Sequence, residues 1–177
     1  MSKIYVDEIL PKENAQISAP NLQLPAGSVI QTVTDQYSHV GTTITTQDTW
    51  TNVGRTISIT PTSTNSKIVL MHYAGGMALN DPASIGLRVL RNGSLTNIFQ
   101  SRHGYHSATN FWGSVSFTFV GFDEPNSTAE QTYQIQLAMQ NGSSQIRYNS
   151  NTSSFGSSNL AVDGHGTVQF ILQEIAQ

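Results

Sequence analysis

The sequence predicts an all-β protein: an antiparallel β-sandwich of jelly-roll type behind a short extended N-terminal arm. Three observations predict it. Apolar residues recur with period two, turn signals separate the runs, and no segment carries a helical repeat. In 133–140 (YQIQLAMQ), Tyr133, Ile135, Leu137 and Met139 fall on one face, and Gln134, Gln136, Ala138 and Gln140 on the other. The segment 114–119 sets Val115, Phe117 and Phe119 against Ser114, Ser116 and Thr118. A strand with one face on a core and one in solvent has this pattern.

The first 25 residues read differently. Ile4, Val6, Ile9, Leu10, Ile17, Leu22 and Leu24 stand in ones and twos between Pro11, Pro20 and Pro25. The stretch is too apolar for a solvated tail, too broken by proline for a helix, and too sparse for a core of its own. Ordered alone it would lose more chain entropy than its contacts return. Paired with copies of itself around a shared axis it closes a small apolar stem. Residues 1–25 are therefore expected to be a stem or anchor, and 26–177 a head.

Within the head, nine strands are expected, at 29–33, 55–60, 67–73, 85–91, 95–99, 111–122, 132–140, 145–149 and 166–175. The run at 67–73 (KIVLMHY) is apolar at both parities and reads as a central strand covered on each side. Asn92-Gly93 and Asn141-Gly142, each between alternating runs, are hairpin signals. Pro61 to Ser66 and Asp123 to Ser127 close the strands before them. The last run alternates Val168, Phe170 and Leu172.

Composition excludes several function classes. The chain has 177 residues, a net charge of −3 and only 8 Lys+Arg, which leaves no basic cluster for nucleic acid or an anionic membrane. No apolar run approaches the about 20 residues of a membrane span, and no secretory signal is expected after Lys3. With Cys 0, disulfides and thiolate metal sites are excluded. Nothing points to a cofactor. Only 11% of residues are charged, against about 25% in ordinary domains. Hydroxyls and amides fill the polar positions instead, which suits a surface taken up by neighbours and favours a structural assembly.

Four stretches carry a resemblance. They are SKIYVDEIL at 2–10, LPAGSVIQTV at 24–33, ITPTSTNSKIVL at 59–70 and RNG at 91–93. With them the whole chain resembles small virion proteins of tailed bacteriophages, especially those infecting marine bacteria and cyanobacteria. The resemblance implies a structural virion component assembled in the host cytoplasm, a homotrimeric fibre, spike or head-decoration protein. Its arm would fix it to other virion proteins, and its head would be free to meet a host surface glycan. It brings no catalytic residues. The alternatives are capsid or tail decoration without a ligand, and a non-viral carbohydrate-binding module; the expected lack of a signal and of cysteines argues against the latter.

The one cluster with binding chemistry is Arg102, His103, Tyr105 and His106, followed by Phe111 and Trp112. Read as a loop at 101–111, it offers a stacking face and hydrogen-bonding groups suited to a neutral sugar. The competing reading starts the next strand at Phe111 and Trp112 and packs them inward. His103 and His106 lack the third ligand that zinc requires, so no metal site is expected. No enzyme is expected either. Asp163-Gly164-His165 has no nucleophile elbow beside it, and Asp123 and Glu124 read as turn residues. The sequons at Asn92, Asn126 and Asn141 read as turns, and Trp50 as the anchor of a connection to the core.

Overall fold

The computed structural model describes residues 24–38, 42–80, 83–105, 112–140, 145–148 and 167–177. Of the arm, only Leu24 and Pro25 fall among them. The described residues form ten antiparallel strands in two sheets: β1 (Val29–Ser38), β2 (Thr42–Ile44), β3 (Thr51–Ile59), β4 (Lys67–Asn80), β5 (Ala83–Arg91), β6 (Ser94–Tyr105), β7 (Trp112–Asp123), β8 (Gln131–Gln140), β9 (Gln145–Tyr148) and β10 (Thr167–Ile175). The fold is all-β, as expected, and no helix occurs among the described residues.

Strand β4 organises the first sheet. One of its edges pairs with β7 along nearly its whole length, from Ile68↔Asp123 to Asn80↔Trp112. The opposite edge is shared: β10 pairs with 67–74 and β9 with 77–80. β1 then flanks β10, and β2 flanks β9. A bulge falls between Ala74 and Met77, at Gly75-Gly76, where an extra backbone unit without side chains is easily inserted. The second sheet runs β3-β8-β5-β6.

The two sheets bury their facing parities against each other. Ile68, Leu70 and Ala74 of β4, Phe119 of β7 and Val168, Phe170 and Leu172 of β10 meet Ile57, Val89, Tyr133, Ile135 and Leu137 of the second sheet. β8 alternates buried and half-buried along its length, as its sequence predicts. Period two is therefore obeyed where a core exists to enforce it.

Turn chemistry fixes the strand ends. Asn92 and Gly93 have φ of 50° and 77°, the left-handed pair that a two-residue hairpin demands. The Asn92 side chain donates to Gln131 and accepts from the Thr132 amide, which fastens this tip to the start of β8. Pro25 to Ser28 form a turn, with Ser28 N–H donating to the Pro25 carbonyl and Gly27 at φ 87°. Only glycine takes that conformation without strain.

Two polar clusters tie the sheets at one end. Glu174 is fully buried, and its carboxylate accepts from Gln31 Nε2 (2.6 Å), Thr62 N (2.7 Å), Thr62 Oγ1 (2.8 Å) and Ser66 Oγ (2.5 Å). Burial alone would raise its pKa. The hydrogen bonds from Ser66, Gln31 and Thr62 outweigh that and hold it below the ordinary range. Nearby, Arg91 grips both oxygens of Asp123 at 2.9 and 2.8 Å, and Tyr133 donates to the same carboxylate at 2.7 Å. Burial first, then the bond to Asp123, pushes the Tyr133 phenol upward, so it stays a donor.

Four expectations are corrected. The strand at 67–73 continues to Asn80 and is covered on one side only: Ile68, Leu70 and His72 are buried, while Tyr73 is 45% exposed. The segment 101–105 is strand rather than loop, because β6 continues its register with β5 as far as Ala83↔Tyr105. The described strands number ten, and the additional one is β2, three residues long with only Ile44 buried. Trp50 lies on the outer face of the second sheet instead of reaching the core, with its ring beside outward-facing Gly86 and Arg88.

The core analysis predicts that Phe119→Ala lowers stability by about 3–5 kcal/mol, since it empties a ring-sized space between the sheets. Thr118→Ala, on the exposed parity, should change it by less than about 0.5 kcal/mol in urea denaturation.

Acid should unfold the protein in two windows. His72 is buried and held down to about 4 by desolvation. The unfolded state therefore takes up a proton first, and stability falls from pH 6.5 to about 4, by on the order of 3 kcal/mol. Glu174, with its pKa depressed, contributes stability above its unfolded value of about 4.5 that is lost as pH falls further, through its folded value. His72→Phe should flatten the first limb of a midpoint-against-pH curve, and Glu174→Gln the second.

Candidate functional site

The outer face of the first sheet carries an apolar patch, on β4, β7 and Ile171 of β10, where solvent would call for polar groups. Register places its side chains in rows across β10, β4 and β7. One row is Gln173, Val69 and Phe122, and the next is Ile171, Met71 and Val120. Tyr73 follows beside Thr118. Phe122 is 59% exposed and Val120 53% exposed, while Val69, Met71 and Ile171 are half-buried by one another. Contiguous exposed apolar side chains of this size mark interaction surfaces.

The rim of this face is nearly neutral. Lys67 and Glu124 pair at 3.2 Å across β4 and the end of β7, a largely solvated contact worth little in stability. With Ile98, Phe122 and Asp123 they line a shallow depression. Ile98 of β6 closes on β7 here: a Cβ at Gly121 would stand 2.9 Å from Ile98 Cγ2 and 3.1 Å from its carbonyl oxygen. The absence of a side chain at 121 lets the two sheets meet along this edge.

The outer face of the second sheet is polar. The tip of the Trp50 ring sits in a notch at Gly86, whose paired neighbour on β8 is Ala138. The Arg88 guanidinium lies 4.2 Å from the ring centroid, and its Nε donates to Gln136 at 2.8 Å. Gln136 in turn donates to Asn52 at 2.7 Å. Trp50, Arg88, Gln136 and Asn52 thus hold one another, and the loop before β3 with them.

The residues singled out from sequence for ligand binding are not drawn into one site among the described residues. Arg102 pairs in register with Gly86, His103 with Ile85 and Tyr105 with Ala83, so 102 and 103 are positions of opposite parity on β6. Trp112 opens β7 opposite Asn80. His106 lies outside the described residues, as do Phe111, Asn141, Asp163 and His165. The arm positions Ile4, Val6, Ile9, Leu10, Ile17 and Leu22 lie outside them too. Leu24, the remaining member of that set, is 43% exposed.

Other groups with chemical potential are already engaged. Asp123 is held by Arg91 and Tyr133, and Glu124 by Lys67. His72 bonds Tyr148 at 2.7 Å and stacks between Phe119 and Tyr148, with Phe170 edge-on. Asn92 and Asn126 occupy turns with positive φ. No group of three or more metal-ligating side chains occurs among the described residues. No described helix is long and apolar enough to cross a membrane.

The apolar outer face had a signal in the sequence. Alternation in β7 breaks after Phe119, where Val120 and Phe122 add a second apolar parity. The same doubling occurs at Val69 and Met71 in β4, where it marks an outward apolar face rather than a strand covered on both sides.

No protein-family model and no curated protein matches the chain. Among solved structures, the chain is similar to one from the T13 IBDV viral particle, at 8% identity and a TM-score of 0.38, over 92% of this chain and 39% of that one. It is also similar to the VP2 subviral particle of infectious bursal disease virus, at 10% identity and a TM-score of 0.32, over 92% and 42%. The chain thus spans about two fifths of the length of these solved chains. Likeness at this level leaves the fold resting on the strand pairing described above.

The Trp50 notch yields a test. Gly86→Val would drive a side chain into Cη2 of the indole, where even a Cβ stands 2.9 Å away. The substitution should cost about 1–3 kcal/mol and redshift tryptophan emission as the ring leaves the sheet. Combining it with Trp50→Ala should recover part of that loss.

Proposed function

We propose that this chain is a structural component of a tailed-phage virion, a homotrimeric fibre- or spike-like unit. Residues 1–25 fix it to other virion proteins, and residues 26–177 form its head. The observation that carries this reading is the apolar outer face of the first sheet, formed by Val69, Met71, Tyr73, Val120, Phe122 and Ile171 on a chain with 11% charged residues. Such a face is poorly tolerated in a free monomer and favourable once covered, at about 25 cal/mol per Å² removed from water. The sequence motifs shared with small phage virion proteins support the same reading.

A second reading, decoration of a capsid or tail without any ligand, is favoured by one observation. The cluster suited to a host glycan is strand through Tyr105, and its residues alternate in parity along β6. The two readings share the assembly face and differ in adsorption to host cells.

Light scattering on the purified chain should give about three times the monomer mass, as the proposed homotrimer, one of the closed symmetric assemblies, requires. Val120→Asp, which sets a charge within the apolar patch, should lower that mass at unchanged β content. A stable wild-type monomer at micromolar concentration would refute the assembly reading. An antibody label seen by electron microscopy on tail or capsid would separate fibre from decoration.

A further inference from the structure

His72 is a buried group that can take up a proton, and it stands beside the most lightly anchored part of its sheet. We infer that β9 and β2 form an acid-sensitive flap, which opens ahead of the rest of the sandwich when His72 is protonated.

Placement comes first. Ile68, Leu70, His72 and Ala74 are the inward residues of β4, and past Ala74 one edge of the strand changes partner from β10 to β9. β9 pairs with β4 only over 77–80, and β2 pairs with β9 only over 42–44. By contrast β10 holds β4 along 67–74, and β7 holds it from Ile68 to Asn80. Freeing β9 and β2 therefore breaks less of the sheet than freeing either of those neighbours. Tyr148 and Ile44 fasten the flap to the core, and Thr42 Oγ1 donates to the Val53 carbonyl at 3.1 Å.

Tyr148 links the flap to the titrating ring. Its hydroxyl bonds His72 Nε2 at 2.7 Å, and the two rings stack with centroids 6.1 Å apart. Phe119 of β7 stacks on the imidazole at 5.3 Å, and Phe170 of β10 stands edge-on at 5.9 Å. An imidazolium in this enclosure would lose its hydration, and that desolvation holds the His72 pKa down to about 4, from 6.5. Phe119 and Phe170 belong to strands paired at length, so lifting Tyr148 is the least costly way to admit water.

The surrounding charges are set apart from the ring. Among the described residues, Asp35 of β1 lies in the same row, with Phe170 between it and His72. Glu174 and Asp123 both lie in the row of Ile68, bonded by Gln31, Thr62 and Ser66 and by Arg91 and Tyr133 respectively. The buried residues of β3, β5 and β8 are apolar apart from Gln131 and Tyr133. Arg147 has the parity opposite to Tyr148 on β9, and His103 occupies a position of β6 in register with buried Ile85.

The sign follows from the two protonation states. Between pH 6.5 and about 4 the open form binds a proton that the closed form refuses, so falling pH favours opening. From pH 7.5 to 5 the opening equilibrium should rise on the order of thirty-fold.

Hydrogen exchange on the full chain, corrected for the intrinsic rate at each pH, tests the flap. At pH 7.5, segments 42–44 and 145–148 should be less protected than 168–175, and their protection should fall about thirty-fold by pH 5. His72→Phe should abolish that pH dependence. Tyr148→Phe, which keeps the imidazole, should lower protection and retain the dependence. Equal protection of β9 and β10, falling together, would mean that the sandwich opens only as a whole and would overturn the inference. Protection of β9 that is low but flat with pH would overturn it too, because the strand would then open without exposing His72. A dependence that survives His72→Phe would assign the proton to another group, with His103 the first to replace. If His72→Phe does not fold, the wild-type comparison of β9 with β10 and the Tyr148→Phe profile decide by the same criteria.

Discussion

The parity of β4 is the constraint on which the remaining structure depends. Ile68, Leu70, His72 and Ala74 point between the sheets, and both edges of the strand are paired, by β7 on one side and by β10 and β9 on the other. A slip of one residue would exchange this set for Lys67, Val69, Met71 and Tyr73 and carry the register of three strands with it. Hydrophobicity alone discriminates weakly between the two sets, because Val69 and Met71 are as apolar as their neighbours. Polar groups discriminate better. His72 has its bond to Tyr148 and its aromatic neighbours only in the observed register, and Lys67 would be buried without a partner in the other.

Glu174 plays the corresponding part for β10. It occupies an inward position in line with Val168, Phe170 and Leu172, where a carboxylate would ordinarily be destabilising. The loop between β3 and β4 converts it into a lock: Thr62 and Ser66 reach it from that loop and Gln31 from β1. Thr62 and Ser66 of the TPTSTNS stretch are thus short hydroxyl donors placed where one buried charge needs them. Alanine at those positions would leave the carboxylate short of partners.

Much of the fold was legible in the sequence because a core enforces alternation. β8 and β10 show this alternation for that reason, and Asn92-Gly93 announces its hairpin through the conformation it needs. β2 escaped notice because three residues cannot display a period. The end of β6 is not legible as strand because an Arg-His-Gly-Tyr sequence has loop composition, while the pairing with β5 that makes it a strand is a non-local fact. The candidate site was less legible still. An apolar parity states that a surface will be covered, but not whether the same chain covers it. KIVLMHY therefore looked like a doubly covered strand, when one of its sides faces out.

The fastening of Asn92 also bears on where this scaffold would accept foreign sequence. Hairpin tips are the usual choice for grafting a peptide, yet here the tip is bonded through Asn92 to both Gln131 and Thr132, and so helps hold β5 against β8. The loop after Asn65 is likewise committed, since Ser66 belongs to the Glu174 lock. Thr128 to Glu130 differ: all three are exposed, and the hydrogen bonds there are local ones, from the Ala129 amide to Ser127 and from Gln131 Nε2 to the Ala129 carbonyl. A tag or epitope set at Thr128, ahead of the Ala129 carbonyl, would ride on the rigid end of the sandwich and leave the Asn92 and Glu174 contacts in place.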